Sequence, residues 1–151
     1  MKKFMCVVFV VIVSLLSLVG CGAPEDEVLV SLGEYQDADY YSCGGMDVNR
    51  YNKYYYDDVS FDDNPYFEKL NDDNIEALLK RIEHYEEWVE DYDSDNELIV
   101  KYDFDRSIIT EGDYVYIHDH DDKEEDQEFR SFDVYFFNIE TMILYKFSMT
   151  Y

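Results

Sequence analysis

Phe132-Asp133-Val134-Tyr135-Phe136-Phe137-Asn138-Ile139-Glu140-Thr141-Met142-Ile143-Leu144-Tyr145-Lys146-Phe147 decides the fold class. Two runs rich in aromatic and β-branched residues flank a polar break at Asn138 to Thr141, the layout of two antiparallel strands joined by a turn. Upstream, Tyr114-Val115-Tyr116-Ile117-His118 reads as another strand. It is entered through the turn Glu111-Gly112-Asp113 and left through the charged loop Asp119 to Glu128. Before it, Leu98, Val100, Tyr102 and Phe104 alternate with Ile99, Lys101 and Asp103, which predicts a fourth strand. Sequential strands with short connections favour an antiparallel meander.

Upstream of Asp91 the period changes to that of a helix. Ile75, Leu78, Leu79, Ile82, Tyr85, Val89 and Tyr92 recur along one side, with Lys80, His84 and Glu87 opposite. Asp73 followed by Glu76 has the form of a capping box, and Glu76 stands four residues before Lys80 in the favourable order for an ion pair. The spacing predicts an amphipathic helix of about 18 residues, docked by its apolar side. A short helical turn is expected over Asn64-Pro65-Tyr66-Phe67-Glu68-Lys69-Leu70, since proline suits a first helical position. The stretch from Tyr35 to Asp63 is rich in Tyr and Asp and has no clean period; a short strand is read at Tyr54 to Phe61. The expected fold is α+β, with one amphipathic helix packed on a four-stranded antiparallel meander sheet.

Of 151 residues, 36 are acidic and 12 are Lys or Arg, a formal charge of −24. Such a field repels phosphates and anionic headgroups, so nucleic acid is excluded as a partner and a basic protein or a cation is favoured. Acidic chains are often disordered, but 16 Tyr, 10 Phe and 1 Trp supply enough aromatic surface for a core.

The first residues have a different character. Lys2 and Lys3 precede an apolar run from Phe4 to Val19, the pattern of an export signal. A spanning helix needs about 20 apolar residues, and this run is shorter and holds Ser14 and Ser17. An ordinary secretory signal would want small residues at both flanks of its cut, which Val19-Gly20 before a cysteine fits less well. Leu18-Val19-Gly20-Cys21 resembles the lipobox of bacterial lipoproteins. The resemblance implies diacylglycerol attachment to the Cys21 thiol and cleavage before it, leaving a lipidated N-terminus on the extracytoplasmic face of the cell membrane. Two acyl chains exceed the limit below which anchoring is marginal. The expected organisation is a signal peptide at 1–20, an acidic tether at 21–34 and one domain at 35–151. Without residues 1–20, which hold two lysines and no acids, 36 acidic residues face 10 basic ones and the formal charge is −26. Cys6 leaves with the signal and Cys21 is acylated, so Cys43 has no disulfide partner in the chain.

Candidate chemistry is sparse. Asp91-Tyr92-Asp93-Ser94-Asp95-Asn96-Glu97 resembles a calcium loop, but Asn96 and Tyr102 stand where an EF-hand needs its glycine and its bidentate acid. His118-Asp119-His120-Asp121-Asp122 places two imidazoles at alternate positions, able to reach one zinc or copper ion, without the further ligands such a site wants. Ser107, Ser131 and Ser148 lie in no Gly-x-Ser-x-Gly context, and Cys43-Gly44-Gly45 is only a turn signal. Arg50-Tyr51-Asn52-Lys53-Tyr54-Tyr55-Tyr56 offers rings for an interface or for stacking on sugars, or else supplies core. No residue is nominated as catalytic, cofactor-binding or metal-binding, and Cys21 is the one assigned position. The expected role is a non-catalytic, membrane-anchored binding domain for a basic protein or cationic ligand; the alternative is a small cell-envelope enzyme or polysaccharide-binding module.

Overall fold

In a computed structural model, which describes residues 26–43, 49–92, 98–120 and 131–150, the 132–147 hairpin forms the middle of a larger sheet. The strands are β1 (Asp37–Cys43), β2 (Asn49–Tyr55), β3 (Glu68–Lys69), β4 (Tyr114–Asp119), β5 (Phe132–Asn138) and β6 (Ile143–Met149). They lie in the order β1-β2-β6-β5-β4-β3, and every pairing is antiparallel. The helices are α1 (Glu27–Val30) and α2 (Asp72–Tyr92), with a 3-10 turn at Arg106–Ile108. The chain divides into two compact units at Val30 and Ser31. The first contains α1, whose start is capped by Asp26 through the amides of Val28 and Leu29. The second contains the sheet and α2. Its contacts begin at the chain's entry: Leu32 is buried, and the Asn64 amide donates to the Ser31 carbonyl and hydroxyl.

The four-stranded meander is therefore corrected to a six-stranded sheet. Only β4, β5 and β6 follow the expected path; β1 and β2 join at the free side of β6. The expected strand at 98–104 is absent. The amides of Lys101 and Tyr102 both donate to the Leu98 carbonyl at 2.9 Å, which closes a turn where a strand would extend. Leu98 and Phe104 are buried, but Val100 is 78% exposed, so the alternation serves no sheet face. Phe104 instead stands edge-on to Phe136, Tyr145 and Phe147, and the segment covers part of the sheet beside α2.

The Tyr-rich stretch contains the strands that periodicity missed. Registers put Tyr41, Tyr51, Phe147, Val134 and Ile117 in one cross-strand row beneath α2. On the opposite face Tyr54, Leu144, Phe137 and Tyr135 are buried too, with Tyr56, Phe61 and Phe67 packed among their rings. Both faces bury aromatic surface, so tyrosine occupies both parities and the hydrophobic alternation disappears. The short strand read at Tyr54 to Phe61 is thus the end of β2 followed by a covering loop.

The helix starts earlier than its expected box. Asn71 Oδ1 accepts from the amides of Asp73 and Asn74, while Asn74 Oδ1 accepts from the Asn71 amide at 2.8 Å. The reciprocal cap is Asn71 with Asn74, two residues before the pair nominated from sequence. Glu76 does bond Lys80, at 2.9 Å. Leu78, Ile82 and Tyr85 are wholly buried and each contributes about 1.5–3 kcal/mol. Replacing Asn71 by Ala is expected to cost about 1 kcal/mol, measured as a lower urea midpoint with unchanged slope. A shift within error would mean that Asp72 or water satisfies those amides. The helical turn expected at 64–70 is also corrected. Asn64 Oδ1 caps the amides of Tyr66 and Phe67, but no helix follows, because Phe67 is drawn onto Phe61, Tyr116 and Tyr135 and Glu68–Lys69 pairs with β4.

Candidate functional site

Helix α2 turns a charged side to solvent. Asp73, Glu76, Lys80, Glu83, Glu87 and Glu90 recur at intervals of three and four and are all exposed. They form a stripe about 25 Å long, as the 1.5 Å rise per residue requires. Lys80 is its only cation and is already bonded to Glu76. The last turn has no basic residue, while Glu90 and Asp91 sit there exposed. Acids at a helix C-terminus oppose the macrodipole, and Glu83 with Glu87 and Glu87 with Asp91 are like charges one turn apart. The C-terminal part of the stripe thus carries like charges set against the helix dipole.

The inner side of α2 is anchored by charge as well. Arg81 forks onto Asp119 at the end of β4, with Nε 3.0 Å from Oδ1 and Nη2 2.7 Å from Oδ2. Glu86 accepts from Tyr102 at 2.7 Å and bonds Arg106, fastening the 98–108 segment to the helix. On the sheet, Lys53 Nζ lies 2.7 Å from Asp103 Oδ2, and the Tyr51 hydroxyl donates to Asp103 Oδ1 at 2.8 Å. Asp39 completes the group, 3.7 Å from Lys53 and accepting from the Tyr55 hydroxyl at 2.7 Å. Burial alone would raise the Asp103 carboxyl, but the bonds from Lys53 and Tyr51 outweigh it and hold the group below the ordinary carboxylate range. Burial likewise works against charge on Lys53, and Asp103 overcomes it, so the ammonium is held above the ordinary lysine range. Sequence reading missed this group because Asp103 lies 50 residues from Lys53 and 52 from Tyr51. One signal was available: Lys53 shares the parity of Tyr51 and Tyr55, and a lysine on a core-facing parity needs an acid.

The nominated residues separate accordingly. Of Arg50 to Tyr56, Tyr51, Asn52, Lys53, Tyr54 and Tyr56 are buried, so this stretch is mainly core, with Arg50 exposed. The solvent-facing rings are Tyr35 and Tyr40, the latter 61% exposed. Their hydroxyls are 3.1 Å apart, and that bond, with some burial, pushes the Tyr40 hydroxyl up to about 12.

Alternation does bring His118 and His120 together, ring centroids 4.7 Å apart and perpendicular. Asp119 between them faces the other way, to Arg81. Among the described residues no group of three or more His, Cys, Asp or Glu is arranged to hold a metal. His120 Nε2 lies 2.9 Å from Asp133 Oδ2, and Asp133 Oδ1 accepts from Ser148. The order is serine, carboxylate, imidazole. A nucleophile relay requires the imidazole next to the hydroxyl, to take its proton, so this chain does not activate Ser148. Ser131 is buried, and the Ser107 amide donates to Asp105 in the 3-10 turn. Residues 93–97 of the calcium-like loop, Asp121 and Asp122, Gly44 and Gly45, and Cys21 lie outside the described residues; Cys43 ends β1.

No known family, curated protein or solved structure matches this chain.

The described residues contain no helix long and apolar enough to cross a membrane. The acidic side of α2 sets exposed like charges against the helix dipole.

Proposed function

We propose that this chain is a lipid-anchored extracytoplasmic binding protein, held at the membrane through Cys21 and using its acidic domain to bind a basic protein or cationic ligand without catalysis. The observation that supports the binding reading is the stripe from Glu83 to Asp91, exposed, uniformly acidic and set against the helix dipole. A sequence that keeps such a local conflict commonly does so for function. A cation placed there would relieve repulsion that already exists in the free protein, and the wider field would steer its approach. The anchor is supported by Leu18-Val19-Gly20-Cys21 and the run before it.

The test uses the full chain in nonionic detergent as bait for envelope extract, at low and at high salt. A basic protein retained at low salt and released at high salt is expected, with retention at least tenfold weaker for the triple variant Glu83→Lys, Glu87→Lys, Glu90→Lys. Equal retention by that variant would remove the helix from the reading. For the anchor, Cys21→Ala is expected to abolish fatty-acid labelling and move the protein out of the membrane fraction. Labelling that persists in Cys21→Ala would sink the lipobox assignment.

A further inference from the structure

We infer that the outer edge of β1 is the docking line for an extended, lysine- or arginine-rich segment of the partner, which adds to the sheet as a further strand. The inference rests on the proposed binding of a basic partner and names how it is held.

β1 is one end of the sheet, with β2 on one side and no strand on the other among the described residues. In an antiparallel ladder alternate residues turn their N–H and C=O groups outward, so this edge offers about three such pairs. Exposed edges are ordinarily blunted by shortness, by Lys or Pro, or by a bulge. β1 is seven residues long, reads Asp-Ala-Asp-Tyr-Tyr-Ser-Cys, and pairs with β2 without a break from Asp37 to Cys43. It contains no Lys and no Pro. The opposite end of the sheet is shorter and carries a cation: two-residue β3 covers Tyr114 and Val115 and contributes Lys69.

Charge selects the occupant. From residue 26 to residue 49 the chain has no Lys or Arg; Asp37 and Asp39 lie in β1 itself and Glu34 just precedes it. The two lysines that approach β1 are engaged, Lys53 by Asp39 and Asp103, and Lys101 over the Tyr41 ring at 5.5 Å. A second copy of this chain would bring the same acids and another −24 against the edge. Pleating adds a pattern. Asp37 and Asp39 share one face of β1 and Tyr40 takes the other. An added strand with cations at alternate positions sets them against the two aspartates. Its intervening side chains meet Tyr40, which stands 61% exposed and bonded to Tyr35.

The probe is an acetylated eight-residue peptide alternating Lys and Val, added to the full chain in detergent at low salt. Its binding is expected to slow amide exchange at least tenfold at the outward N–H groups of residues 37–43. N-methylation of every second residue keeps the charge but removes the edge hydrogen bonds, and should weaken binding at least tenfold. The exposed-site variant Tyr40→Lys should do the same, while a Glu-Val peptide should not bind. If the N-methylated peptide binds equally well and β1 gains no protection, the edge is overturned while the basic-partner reading stands. If the Lys-Val peptide does not bind at all, the edge is again overturned, and the basic-partner reading is judged on the helix variant alone.

Discussion

Asp113→Ala should destabilise the domain by on the order of 3 kcal/mol. Asp113 is wholly buried and accepts four hydrogen bonds. Its Oδ2 receives the Thr110 amide at 2.9 Å, the Thr110 hydroxyl at 3.1 Å and the Asn138 side chain at 3.3 Å, and its Oδ1 receives the Ile139 amide at 3.0 Å. Asn138 in turn donates to the Ile108 carbonyl and accepts from the Thr141 amide and hydroxyl. One carboxyl thus ties the entry to β4 to the β5–β6 turn, next to Gly112, whose φ of +105° only glycine adopts readily. Alanine strands two backbone donors at about 1–3 kcal/mol each where no water replaces the lost partner. For a domain of this size the melting temperature should fall by roughly 10 °C. Asp113→Asn keeps an acceptor and should lose less. A loss below about 1 kcal/mol for the alanine variant would show that the turn is satisfied without the carboxyl.

Asp103→Ala should cost about 2 kcal/mol at neutral pH, because the buried Tyr51 hydroxyl loses its acceptor and Lys53 loses its closest anion. The figure lies at the low end for charged partners, since the Asp103 side chain is 60% exposed and water screens the pair. The dependence on pH is the sharper test. Asp103 is held below its ordinary range, so its contribution is full above about pH 4 and declines as pH falls through the lowered value. Lys53 is held above its ordinary range, so its contribution is full below about pH 10 and is lost only as pH rises beyond that. Urea unfolding of wild type and variant should therefore differ by a constant amount from about pH 5 to pH 9, with the gap closing in stronger acid. Acid also relaxes the repulsion among the other carboxylates, but it does so in both proteins, and their difference isolates Asp103. A gap that stays the same width at pH 2–3 would contradict the assignment.

The amphipathic helix and the apolar strands bounded by clear turn residues were legible in the sequence. Leu78, Ile82, Tyr85 and Val89 are buried as the helical period required, and β4, β5 and β6 lie within a residue or two of their expected positions. Glu111-Gly112 makes its turn because it needs a positive φ. The misreadings have separate physical causes. β2 was hidden because it buries aromatic side chains on both faces, and β1 because neither of its faces is apolar throughout. The 98–104 segment imitated a strand because Leu98, Tyr102 and Phe104 happen to fall on even numbers, although a turn closes between the first two. Asn71 was passed over as a cap because Asp73 and Glu76 match the common pattern better, yet the shorter amide pair sits where the chain turns. The acidic character was plain from composition. The acids on the outer side of α2 followed once the apolar side of that helix was known. The Lys53–Asp103 contact was beyond local reading, since nothing near either residue points to the other.

The strand order has a consequence for assembly. β6, the last of the six strands described, lies between β2 and β5 and is the strand through which the β1–β2 hairpin is hydrogen-bonded to the β4–β5 pair. Those two hairpins can form separately, but they have no common strand edge until β6 pairs with both. The keystone is the last stone to arrive. The sheet therefore closes in one late, long-range step, which is slow by topology.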